Sequence, residues 1–132
     1  MQLPFWAVHD ALSTRDAMLA FLQLHGNAET CPSALVSDSS GVWSDAGYAG
    51  QLATALSAGG VTVGKCGAGY PTAACDLCGT DNVEARFTAE AADACTQMGT
   101  SYGRFVHVEQ QADLRAMYQP LIDAAKATFP AQ

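Results

Sequence analysis

At 132 residues, with 49% apolar and only 14% charged side chains, the chain is long enough to bury one core without a metal or disulfide staple and too apolar to be disordered. Thirteen acidic against six basic residues leave a net charge of −7, which argues against direct nucleic-acid binding and favours a protein partner with a basic surface. No apolar run reaches the length of a membrane-spanning helix.

The opening "MQLPFWAVHDALS" has no basic residue before its apolar stretch, and His9 and Asp10 interrupt it, so it does not read as a signal peptide. Five cysteines, an odd number, suit reduced thiols. Both features predict a cytoplasmic protein.

The first predicted element is a helix. Ser13 and Asp16 have the spacing of a capping box, Leu12 stands ready to staple onto Ala17, and Gly26 supplies a stop. Met18, Phe21, Leu22 and His25 then share one face, with His25 near the carbonyl-rich end. "SALVSD" (33–38) follows as a short strand, "SDSSG" as a turn, and "GVW" (41–43) as the opening of a second strand. Asp45 is placed to cap a helix whose stripe is Tyr48, Leu52, Ala55 and Leu56, ended by Gly59 and Gly60.

"VTV" (61–63) reads as a strand and "KCGAGYPTAACDLCGTDN" (65–82) as a loop. "VEARF" (83–87) alternates like a strand, and Phe87, Ala91, Ala94, Cys95 and Met98 continue it as one face of a helix stopped by Gly99. "YGRFVHVE" (102–109) is the strongest strand, with Phe105 and His107 on one side and Val106 and Val108 on the other. The strongest helix closes the chain. Leu114, Met117, Tyr118, Leu121, Ile122, Ala125 and Phe129 form its core stripe, and Pro120 kinks or restarts it. The fold predicted over residues 1–132 is a single α/β domain: one mixed or antiparallel sheet of four to five short strands, covered by three to four helices. Its predicted core comprises Phe21, Leu22, Leu52, Leu56, Phe105, Leu114, Leu121 and Ile122.

Three of the five cysteines fall in the central loop. Cys75-Asp76-Leu77-Cys78-Gly79 has the form of a metal knuckle, in which two thiolates grip one tetrahedral ion. A knuckle gives two ligands. Cys66 and Cys95, or Cys31 and the histidines, would have to complete a zinc site, because Met98 stands where a second knuckle needs cysteine. A redox pair would need the C-x-x-C at a helix start, whereas Thr80, Asp81 and Asn82 suggest a turn or a cap. The expected state is a metal-free loop, with a disulfide between Cys66 and either Cys75 or Cys78 as the main alternative. Gly59, Gly64 and Lys65 have the spacing of a phosphate-binding loop, but Cys66 replaces its serine or threonine and Val61–Val63 favours a strand. His107, between two valines, is expected to be a hydrogen-bonded structural histidine.

"LVSDSSGVWSDAGYAGQLATALSAGGVTVGKCGAG" resembles the first part of the GDS-type (SGNH) esterases. That resemblance implies a hydrolase with Ser39 as nucleophile, an oxyanion-hole amide at Gly67 or Gly69, and His107 as its most plausible base. Ser37 stands where the motif has glycine, and no Gly-x-Asn-Asp follows. The pairing of "SALVSDSSGVWSDAG" with "GRFVHVEQQADLRAMYQPLIDAAKATF" is similar in pattern to roadblock and profilin-like domains. That likeness implies an adaptor or regulator without catalytic residues. Because each catalytic motif lacks a part, the sequence predicts macromolecular binding, as an adaptor, regulator or inhibitor, with the Ser39 hydrolase and a zinc or thiol-redox protein as alternatives.

Overall fold

A computed structural model describes residues 20–129. The expected helix start at Ser13 and Asp16, with Leu12, Ala17 and Met18, lies outside them. The described residues form one mixed sheet of five strands with four helices. The strands are β1 (Phe21–Gly26), β2 (Ala34–Ser37), β3 (Val63–Cys66), β4 (Gly69–Tyr70) and β5 (Phe105–Gln110). The helices are α1 (Tyr48–Ala58), α2 (Val83–Thr88), α3 (Ala112–Ala116) and α4 (Gln119–Thr128). None of these helices is long and apolar enough to cross a membrane.

The sheet order is β1-β5-β2-β3-β4. β5 runs parallel to β1 and antiparallel to β2, and β2, β3 and β4 are mutually parallel. The period of two along each strand sends its side chains to opposite faces. On one face, Ala34, Val36, Val106 and Val108 meet Leu52, Leu56, Leu114, Leu121 and Ala124 from the helices in the main core. On the other, Leu35 and Cys66 pack with Cys75, Cys78 and Tyr70 in a second, smaller cluster. Two disulfides, Cys31–Cys75 and Cys66–Cys78, bind that cluster together. The second is one of the two pairings expected for Cys66; the first joins residues separated by 44 positions and leaves no trace in local spacing.

Several expectations are corrected. Residues 21–26 are strand, not helix, since β1 gains a six-residue parallel register with β5, Phe21 opposite Phe105 through Gly26 opposite Gln110. Long-range pairing there outweighs the helical spacing of Phe21, Leu22 and His25. Residues 41–43 are no strand: the hydroxyl of Ser40 accepts from the Val42 amide and donates to its carbonyl, occupying the groups a ladder would need. β3 starts at Val63, later than predicted, because the Val61 amide is bonded to the Leu56 carbonyl at the end of α1. Asp45 does not cap α1, whose N-cap is Gly47. Its carboxylate instead accepts from Trp43 Nε1 at 2.9 Å and meets Lys65 Nζ at 3.3 Å.

"VEARF" is helix α2, set by the Asn82 side chain accepting from the Ala85 amide at 3.1 Å. The helical face expected through Met98 ends at Thr88, and Glu90 turns the chain with φ +63°. Pro120 marks a restart: it sits in the first turn of α4, where its missing amide has no partner to lose. Of the predicted core, Leu52, Leu56, Phe105, Leu114 and Leu121 are buried, Phe21 and Leu22 are half-buried, and Ile122 is exposed. α4 turns Leu121 inward instead, with Ala124 and Thr128.

Candidate functional site

The disulfide face carries a polar row at its β1–β5 end. The parallel register places His25 directly opposite Glu109, and the strand period puts His107 on the same face as Glu109, two residues earlier. His107 Nε2 lies 3.1 Å and His25 Nδ1 3.5 Å from Glu109 Oε1. The two imidazoles meet edge to face with centroids 5.0 Å apart, and one ligand atom from each of the three residues falls within 4.8 Å of the others.

The three residues line an open cleft of about 430 Å³, with its far wall formed by residues 76–82. That wall is fixed at several points. Cys78 ties it to β3 through Cys66, and Cys75 ties its base to Cys31. The nearly buried guanidinium of Arg86 donates to the Thr80 and Cys95 carbonyls and pairs with Asp81, and Asn82 Nδ2 donates to Gln23 Oε1 on β1. Gly79 presses directly on His107. A Cβ added there would stand 2.5 Å from His107 Nδ1, and the backbone has φ +63°, so only glycine lets the wall come this close.

The His107 side chain is 4% exposed and that of Glu109 8%, against 48% for His25. Among the described residues, neither ring nitrogen of His107 makes a well-formed hydrogen bond; Nε2 has the Glu109 carboxylate 3.1 Å away as an ion-pair contact. Burial, the largest influence, lowers the pKa of His107 below its ordinary 6.5; Glu109 opposes this and His25 reinforces it. A buried histidine without a well-formed hydrogen bond is uncommon in a folded protein.

The other predicted site residues do not gather. The sulfurs of Cys66, Cys75 and Cys78 are committed to disulfides, so they present no thiolate to zinc, and Cys95 is exposed and unpaired elsewhere. Ser39 is fully buried, its hydroxyl has no hydrogen-bond partner, and it is not part of the cleft wall with His107. Gly59 ends α1, and Lys65 lies in β3 with its ammonium over the Trp43 ring. His25, expected at a helix end, stands on β1. Glu109 is the residue that reading the sequence alone overlooks. The signal was present as His107-x-Glu109 on a strand, which sets a base and a carboxylate on one face.

In comparisons with known proteins, the chain matches no family model, no curated protein and no solved structure. Neither resemblance drawn from the sequence finds support there.

Proposed function

We propose that this protein binds a divalent transition-metal ion, with zinc as the best fit, through His25, His107 and Glu109. The observation that carries the proposal is the buried His107 imidazole, without a well-formed hydrogen bond, held beside Glu109 and His25. Metal–ligand bonds of about 2.1 Å in a tetrahedral site put ligand atoms about 3.4 Å apart, and the 3.1 and 3.5 Å separations to Glu109 bracket that edge. Imidazole and carboxylate are the donor set that zinc takes. The two disulfides favour an oxidising compartment over the reducing cytoplasm expected from the sequence. Such a compartment suits a redox-inert ion better than ferrous iron, the other ion that two histidines and a carboxylate hold.

Titration calorimetry with zinc is expected to give one equivalent bound to the wild-type chain. In His25→Ala the affinity falls at least about tenfold; because that side chain is half-exposed, the fold survives its removal. Zinc binding unchanged in His25→Ala would refute the site.

Macromolecular binding is a second reading, favoured by a different face. Met117 and Tyr118 are 64% and 62% exposed in the break between α3 and α4, beside Ile122 at 38%. An apolar groove lined by Ala55, Ala58, Pro120, Ala124 and Ala127 runs between α1 and α4. Exposed apolar side chains gathered in this way mark contact surfaces, and the net charge of −7 favours a protein partner with a basic rim. Hydroxyl-radical labelling is expected to be weaker at Met117 and Tyr118 in concentrated cell extract than in buffer; equal labelling removes this reading.

A further inference from the structure

We infer that the ion held by His25, His107 and Glu109 is a reaction centre that hydrolyses carboxylic esters or amides whose flanking groups are neutral or cationic. This rests on the metal-binding proposal and adds the chemistry of the site.

Among the described residues, the group that can hold an ion comprises those three side chains and no fourth histidine, cysteine or carboxylate. A structural zinc site is closed by four protein ligands, whereas a catalytic one keeps a position open for water or substrate. All three residues line the cleft, so a fourth position on an ion they held would open toward it, and its volume of about 430 Å³ would accommodate a small acyl compound. His107, buried and without a well-formed hydrogen bond, lines the same cleft.

The charge of the cleft selects among substrates. Among the described residues, Asp76 lines it with no ion-pair partner, Asp81 lines it in a pair with Arg86, and no lysine or arginine lines it. A substrate carrying a carboxylate or phosphate next to the scissile bond is repelled, and one carrying an ammonium group is drawn in.

The step needs only water. Zinc lowers the pKa of its bound water to about 7, and the proton leaves to solvent. The hydroxide oxygen forms a bond to the carbonyl carbon as the C=O electron pair moves onto oxygen, where the ion stabilises it. Collapse restores C=O and breaks the bond to the leaving alkoxide or amine, which takes a proton from solvent. The products are a carboxylic acid and an alcohol or amine, with no change of oxidation state. The nucleophile is thus metal-bound hydroxide, and Ser39, buried away from the cleft, plays no part.

The test uses the full chain loaded with one equivalent of zinc and three probes: phenyl acetate, 3-(trimethylammonio)phenyl acetate and 3-carboxyphenyl acetate. Each rate is divided by that of the ester in zinc-containing buffer. Wild type is expected to exceed His25→Ala at least about tenfold on the first two esters and to favour the cationic ester over the anionic one by about tenfold. Asp76→Asn is expected to narrow that preference while still binding zinc. Zinc bound at one equivalent without hydrolysis above His25→Ala would overturn this inference and leave the binding proposal standing. No zinc bound would overturn both. Hydrolysis without charge preference, or a preference unchanged in Asp76→Asn, would overturn the substrate class.

Discussion

Replacing Cys31 and Cys75 by serine is expected to lower the unfolding free energy by about 4 kcal/mol. The bridge closes a loop over a sequence separation of 44, and tying two points so far apart removes a correspondingly large loop-closure entropy from the unfolded chain. The folded state offers little in compensation, because the cluster on that face contains few apolar side chains besides the cysteines, chiefly Leu35, Tyr70 and Leu77. Cys66–Cys78, at a separation of 12, is expected to contribute about 3 kcal/mol by the same argument. The two effects do not add, since the loops overlap. Urea unfolding followed by tryptophan fluorescence measures both variants; a loss below about 1 kcal/mol for the longer bridge would mean that other contacts already hold Cys31 beside Cys75.

The second large effect falls on the opposite face. Leu52→Ala is expected to cost about 2–5 kcal/mol, because Leu52 is fully buried where α1 meets the sheet and α4. Ile122→Ala, at a position the sequence places in the same core, is expected to change stability by less than about 0.5 kcal/mol, since its side chain is 38% exposed. Chemical denaturation of the two variants side by side checks the direction in which α4 faces. Equal losses would mean that Ile122 is covered and that the apolar face beside Met117 and Tyr118 is not open.

The elements legible in the sequence are those whose signals are local. β2, α1 and β5 carry their apolar signal within their own residues, the closing helices do so at Leu114 and Leu121 though not at Met117, Tyr118 and Ile122, and Pro120 announces the restart of α4 because its effect on the backbone is covalent. β1 was not legible. Its helical spacing is accidental, and its strand state depends on β5, more than 80 positions later. The candidate site inherits that difficulty. His107 and Glu109 share a strand, so their juxtaposition follows from a period of two, but His25 joins them only through the parallel register of β1 on β5. The pairing of Cys31 with Cys75 was hidden for the same reason. That pairing and Cys66–Cys78 together commit four of the five thiols on which a cysteine-based zinc site would have drawn, and turn attention to the histidines.

The order of the half-cystines along the chain has a topological consequence. Their positions run 31, 66, 75 and 78, and the bonds join the first to the third and the second to the fourth. The two covalent rings therefore interleave, and together they enclose every peptide bond from Cys31 to Cys78. A protease that severs the backbone once anywhere in that span, including the exposed tip around Ala73 and Ala74, produces two fragments that remain a single molecule. The nick adds the mass of one water and releases nothing until a reductant opens the bridges. The wall that presses Gly79 against His107 can thus be cut on either side of Cys75 without coming adrift from the strands that bear the histidines.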